Sequence, residues 1–365
     1  MSLSVGIVGL PNVGKSTLFN ALTKKGAETA NYPFCTIDPS VGIVTVPDER
    51  LWQLAKFSSS KKTIPAIVEF VDIAGLVKGA SEGEGLGNQF LANIRETSAI
   101  CEVVRIFEDD EIIHVNGKID PLGDVETINL ELILADLQTV TKRMENIGRD
   151  VRRNDKAAVK EHSALTKVRA VLEGERLASS ALLDEEEGKI VKQLNLLTAK
   201  PILYILNKKA GGKNLDETND ERFQKLLAFF KDRGDSYVIV DAKIEEELNE
   251  FEGEEKKTFA QELGVKGDGV DELIVAAYKL LGLMTYFTTG EDESRAWTIN
   301  AGSTAPVAGM AIHTDFRDKF IRAEVINWKT LLEAGSYAAA REKGLVRTEG
   351  KEYIVKDGDV VEFKI

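Results

Sequence analysis

One stretch near the start constrains this chain more than any other: Gly9-Leu10-Pro11-Asn12-Val13-Gly14-Lys15-Ser16-Thr17. It fits G-x-x-x-x-G-K-[ST], the phosphate-binding loop. Its flanks agree. Ser4-Val5-Gly6-Ile7-Val8 reads as a short buried strand, and Thr17-Leu18-Phe19-Asn20-Ala21-Leu22 opens a helix with apolar residues at helical spacing. A strand, a glycine turn and a helix N-terminus aim several backbone N–H groups at one point, which suits a polyphosphate. Asn12, Val13, Gly14, Lys15, Ser16 and Thr17 then cradle the phosphates. Lys15 reaches the β- and γ-phosphates and Ser16 offers its hydroxyl to Mg²⁺. The fold class is α/β: a P-loop domain with a mostly parallel sheet and helices on both faces. The activity is that of a nucleotide triphosphatase.

At 365 residues the chain is too long for one compact core, so two or three domains are expected. No apolar run approaches the ~18 residues of a membrane span, so no membrane partner is expected. The first residues run directly into a strand and leave no room for a signal peptide. Cys35 and Cys101 have no metal-type spacing, which fits a reducing cytoplasm without structural disulfides. A net charge of −13 argues against broad nonspecific binding to nucleic acid but leaves room for a local basic surface.

Following the P-loop helix, Thr29 to Pro39 reads as a loop. A P-loop protein needs a γ-phosphate sensor here, often a threonine on Mg²⁺. Thr36 is assigned that place ahead of Thr29. Ile67-Val68-Glu69-Phe70-Val71-Asp72 reads as a strand that ends in Asp72-Ile73-Ala74-Gly75. Asp72 can hold the Mg²⁺ shell, and Gly75 can bring its N–H to the γ-phosphate. Leu76 stands where small GTPases place a water-orienting glutamine, so another group must position the attacking water. His114, just beyond the strand Ala99 to Phe107, is the candidate. A loop histidine packed between Ile113 and Val115 is the competing reading.

Ile128 to Val151 carries Leu130, Ile133, Leu134, Leu137, Val140, Met144 and Ile147 at three- and four-residue steps, and a second run follows through Leu165, Val168, Val171, Leu172 and Leu177. Together they predict an antiparallel helical hairpin inserted in the nucleotide domain. Arg149, Arg152 and Arg153 lie near its tip, either as a solvated face or as a contact for ribosomal RNA. The sheet resumes at Pro201 to Leu206, followed by Asn207-Lys208-Lys209-Ala210. GTPases carry N-K-x-D here, with the aspartate carboxylate on guanine N1 and N2. Ala210 removes that contact. Adenine loses nothing by the change, so ATP is favoured, with Asn207 and Lys208 as base contacts. Glu245 to Glu255 reads as a solvated acidic helix. From about Met284 short strands, Tyr353-Ile354-Val355 among them, form a small α+β domain with no catalytic signature, hence a binding module.

With these residues laid out, the chain resembles the YchF/Obg-like ATPase family over essentially its whole length. The likeness rests on Gly9 to Thr17, Asn31 to Ile37, Asp72 to Leu76, Phe107-Glu108-Asp109-Asp110 with Ile113-His114-Val115, Arg295 to Ile299, and Ile312 to Phe316. It implies a nucleotide domain over 1–283 interrupted by a helical coiled coil over 125–200, and a TGS domain of β-grasp type over 284–365. It implies ATP hydrolysis in preference to GTP, with Mg²⁺ on Ser16 and Thr36, and it matches Asn12 to a K⁺-coordinating asparagine. It also implies association with the ribosome, at the large subunit or whole particle, with rRNA or tRNA met through the coiled-coil tip and the TGS domain. The family's N-x-x-E is not kept at 207–210. Two rivals remain at this point: an Obg-type GTPase, and an adaptor that binds nucleotide without hydrolysing it.

Overall fold

The computed structural model describes residues 3–26, 40–73, 86–109, 119–251, 253–262 and 269–365. The chain divides into two units: Met1–Gly42 with Glu69–Leu273, and Ile43–Val68 with Ile274–Ile365.

The first unit is built on a six-stranded sheet. Its strands are β1 (Ser4–Val8), β2 (Val41–Thr45), β4 (Ile67–Asp72), β5 (Ala99–Arg105), β7 (Ile202–Asn207) and β9 (Ser236–Val240), in the order β2-β4-β1-β5-β7-β9. β1, β5 and β7 are buried along their whole length, which is why they read as largely apolar runs rather than alternating ones, with Glu102 and Arg105 as buried charged exceptions in β5. β1 pairs in parallel with both β4 and β5. The P-loop therefore leaves the centre of the sheet at the carboxyl ends of the strands, where open α/β sheets bind ligands. Helix α1 (Lys15–Gly26) follows the loop directly. The strand expected to run to Phe107 stops at Arg105, and Phe107–Glu108 (β6) turns away to pair with Lys213–Asn214 (β8).

The inserted hairpin is present. Helix α2 (Pro121–Arg152) is 32 residues long and packs against α3 (Lys156–Glu173). Asp120 caps the first and Asp155 the second. Val140, Met144, Ile147, Leu165 and Val168 are buried, while Arg149, Arg152 and Arg153 are exposed at the tip. Arg143 and Glu161 close a forked pair across the helices at 2.6 and 3.0 Å. The root is fixed by Asp136, fully buried, which accepts from Leu197 N, Thr198 N and Thr198 Oγ1 at 2.7–2.9 Å.

The acidic run is not one solvated helix. It splits into Ala242–Leu248 and Gly253–Glu262. Glu245 is 6% exposed and accepts from Gly269 N at 2.8 Å, at the start of the helix Gly269–Leu280. A carboxylate is favoured there because the helix N-terminus is positive.

The second unit has a mixed sheet that takes β3 (Lys62–Ile64), β10 (Leu283–Thr289), β11 (Glu293–Asn300), β12 (Arg322–Asn327), β13 (Arg347–Glu349) and β14 (Asp359–Lys364), in the order β13-β12-β14-β10-β11-β3. β10 and β14 pair in parallel between antiparallel neighbours, the pattern of a β-grasp sheet. Tyr286, Phe320, Val325 and Phe363 fill its core. Residues 43–68 belong here because Arg50 bonds Asp357 and lies over the Phe287 ring, and Lys61 N donates to Glu291 O. Tyr353-Ile354-Val355 is not a strand. Only the single bridge Thr304–Ile354 forms, because Val355 N turns to Ser303 O and Lys356 N to the Asp359 carboxylate.

Candidate nucleotide site

The P-loop geometry follows from its two special residues. Asn12 has φ 63° and Gly14 φ 100°, both in the left-handed region. Gly14 has a second reason to lack a side chain: a Cβ there would lie 2.2 Å from Asn207 Nδ2. Leu18 N bonds Gly14 O at 2.9 Å and starts α1. Ser16, at the first turn of the helix, is exposed, and Thr17 is half-buried.

Lys15 is 9% exposed and donates Nζ to Leu10 O at 2.7 Å. Burial lowers its pKa to about 8, against the opposing pull of Asp72. Asp72 stands at the carboxyl end of β4, with its N–H on Ser40 O at 2.8 Å. Burial raises its pKa, and Lys15 pulls it back down. The site thus holds a desolvated lysine and a desolvated carboxylate, groups whose charged forms a neighbouring opposite charge would favour. A hydroxyl from Ser16 and a carboxylate from Asp72 are the hard oxygen donors that Mg²⁺ takes. Among the described residues no cluster of three or more His, Cys, Asp or Glu could cage a metal.

At the base end, Asn207 is buried and its amide is engaged in both directions. Nδ2 donates to Val13 O at 2.8 Å, and Oδ1 accepts from Ala242 N at 3.1 Å. It acts as a strut between the P-loop and the end of β9. Lys208 N bonds Val240 O at 2.9 Å, and its Nζ lies 3.4 Å from Glu217. Ala210 N donates to Asp241 Oδ2. The structure therefore brings Asn12 to Thr17, Asp72, Asn207 and Lys208 to one end of the sheet. Thr36, Gly75 and His114 lie outside the described residues. Tyr237 to Lys243 reads from sequence as the strand whose end flanks the base, and Asp109 stands in the Phe107–Asp110 stretch of the family likeness; sequence gives neither carboxylate a partner.

A family model described as 50S ribosome-binding GTPase matches residues 4–145, and the C-terminal YchF-GTPase model, described as a protein of unknown function, matches 283–365. The Ribosome-binding ATPase YchF of Bacillus subtilis (strain 168) is 54% identical over 364 residues, covering 100% of this chain and 99% of that protein. The chain belongs to the YchF family. The YchF of Escherichia coli O157:H7, also called a ribosome-binding ATPase, is 49% identical over 363 residues, covering 100% and 99%. Among solved structures, the Schizosaccharomyces pombe YchF GTPase matches with TM-score 0.87 at 38% identity, over 100% of this chain and 98% of that one. The YchF match runs through the arm and both units.

Proposed function

We propose that this YchF-family protein is a Mg²⁺-dependent ATPase that works as a nucleotide switch on the ribosome. The base end carries the reading. Ala210 supplies no carboxylate for guanine N1 and N2, and the Ala242 N–H, which could meet guanine O6, is engaged by Asn207. The relatives' names, ribosome-binding ATPases, support the same reading.

Phosphoryl transfer needs positioning and charge more than covalent chemistry from the protein. The Lys15 ammonium leaves Leu10 O for the β- and γ-phosphates, and the P-loop amides hold the remaining oxygens. Ser16, Thr36 and Asp72 would hold Mg²⁺, which would supply neutralisation of phosphate charge. Asn12 offers an oxygen to K⁺. Gly75 meets the γ-phosphate and His114 orients the water, because Leu76 cannot. Without a glutamine, turnover of the free protein is slow, and the ribosome raises it by ordering these groups. The basic arm tip meets ribosomal RNA of the large subunit, the C-terminal TGS-type unit binds RNA or protein, and the protein works in the cytoplasm.

Calorimetric titration with ATP and GTP, each with Mg²⁺, tests the substrate. ATP should bind at least about tenfold tighter, a difference of about 1.4 kcal/mol. The S. pombe relative is called a GTPase. GTP binding as tight as ATP would favour that reading here and overturn ours, leaving the phosphate site intact.

A further inference from the structure

Lys209, which no sequence signal marked as functional, is the most firmly anchored residue of the base-side turn. Its Nζ reaches Asp109 Oδ2 at 2.5 Å. Its N–H donates to Asn214 Oδ1 at 2.9 Å, and its carbonyl accepts from Asn214 Nδ2 at 2.9 Å and from Gly212 N at 3.0 Å. The Asp109 side chain is 8% exposed, while that of Lys209 is 44% exposed. A carboxylate so far from water requires a charged partner, so the pair pulls the turn toward Asp109.

Asp109 is fixed in its turn. Arg105, 1% exposed, donates Nη2 to Asp109 O at 3.1 Å and Nε to Phe107 O at 3.0 Å, with its guanidinium 4.5 Å from the centre of the Phe107 ring. The β6–β8 pairing joins the same two segments through Phe107–Asn214 and Glu108–Lys213. The anchoring has a chemical result. The N–H groups of Lys208, Lys209 and Ala210 are all engaged, by Val240 O, Asn214 Oδ1 and Asp241 Oδ2. Among the described residues no donor reaches the carbonyls of Lys208 and Ala210. Residues 208–210 offer a base carbonyl acceptors and no free N–H. Adenine's N6 amine can donate to them, whereas guanine's O6, at the same place on the ring, is an acceptor and finds no donor there.

We propose that Asp109 is a positioning residue for adenine recognition. Acting through Lys209, it holds residues 208–210 in the form that presents acceptors to the base. The proposal rests on the ATP preference argued above, and it locates part of that preference in an ion pair outside the N-K-K-A motif.

The test uses the full chain and three probes with Mg²⁺: ATP, GTP and inorganic tripolyphosphate, which has no base. Asp109→Asn, Lys209→Met and the double variant are compared with wild type. Each single variant should weaken ATP roughly tenfold, about 1.4 kcal/mol, and narrow the ATP-to-GTP ratio by a similar factor. Tripolyphosphate affinity should stay at the wild-type value, and the loss in turnover should fall on KM rather than kcat. The double variant should be no worse than the weaker single one, because both remove the same pair. Equal losses for tripolyphosphate and ATP, an unchanged ATP-to-GTP ratio, or additive losses in the double variant would each overturn the proposal. If Asp109→Asn does not fold, Lys209→Met, at a half-exposed side chain, carries the test. Wild type binding GTP as well as ATP is a separate outcome that overturns the substrate reading itself.

Discussion

Nucleotide affinity should depend on pH through Lys15. Its pKa in the free protein is about 8, lowered chiefly by burial. A bound polyphosphate adds negative charge beside the ammonium and raises the pKa in the complex. The sign follows: the complex binds more protons than the free protein, so affinity is full below pH 8 and falls as pH rises through it. The protonated fraction of free Lys15 is about 0.9 at pH 7 and about 0.1 at pH 9, so ATP should bind about tenfold more weakly at pH 9, a loss of about 1.4 kcal/mol. Calorimetry in buffers of different ionisation enthalpy should find uptake of about half a proton per ATP at pH 8. Lys15→Arg, always charged, should bind ATP more weakly than wild type but with a flat profile over the same range. A flat wild-type profile, or no proton uptake at pH 8, would refute the argument that Lys15 sits desolvated and waiting for its ligand.

Two further outcomes follow from the same structure. Lys15 is depressed from 10.5 to about 8 in the fold, so the folded chain at pH 7 carries a cation that it disfavours. Lys15→Met should stabilise the nucleotide-free protein by about 1–3 kcal/mol at pH 7, with the gain shrinking between pH 8 and 10.5, while abolishing ATP binding; a lower thermal midpoint for the variant would contradict this. Replacing Arg149, Arg152 and Arg153 by alanine should weaken ribosome binding and reduce the slope of log affinity against log salt by about 2–3. ATP affinity should stay at the wild-type value, and an unchanged salt slope would exclude the arm tip as an RNA contact.

Much of this was legible because the relevant signals are local. The P-loop is a contiguous motif, and its glycine turn, strand and helix are adjacent in sequence. The arm announced itself through a long apolar period. Burial on both faces made β1 and β7 nearly continuous apolar runs. What escaped was set by distant partners. Residues 43–68 join the second unit through Arg50, Ser60 and Lys61, whose partners lie more than 200 residues away. Glu245 reads as one more acid in a charged run until Gly269 is seen to donate to it. Asn207 reads as a base contact from its motif, and the bridge its amide makes between Val13 and Ala242 is invisible there. The Asp109–Lys209 pair joins residues 100 apart, and no local pattern could announce it.

The most direct test of the whole account is phosphate release from ATP and from GTP, each measured with and without purified ribosomes. The account requires slow release from ATP by the free protein, a marked rise when ribosomes are added, and a smaller response with GTP. No release from ATP even with ribosomes, or ribosome stimulation of GTP hydrolysis alone, would contradict it.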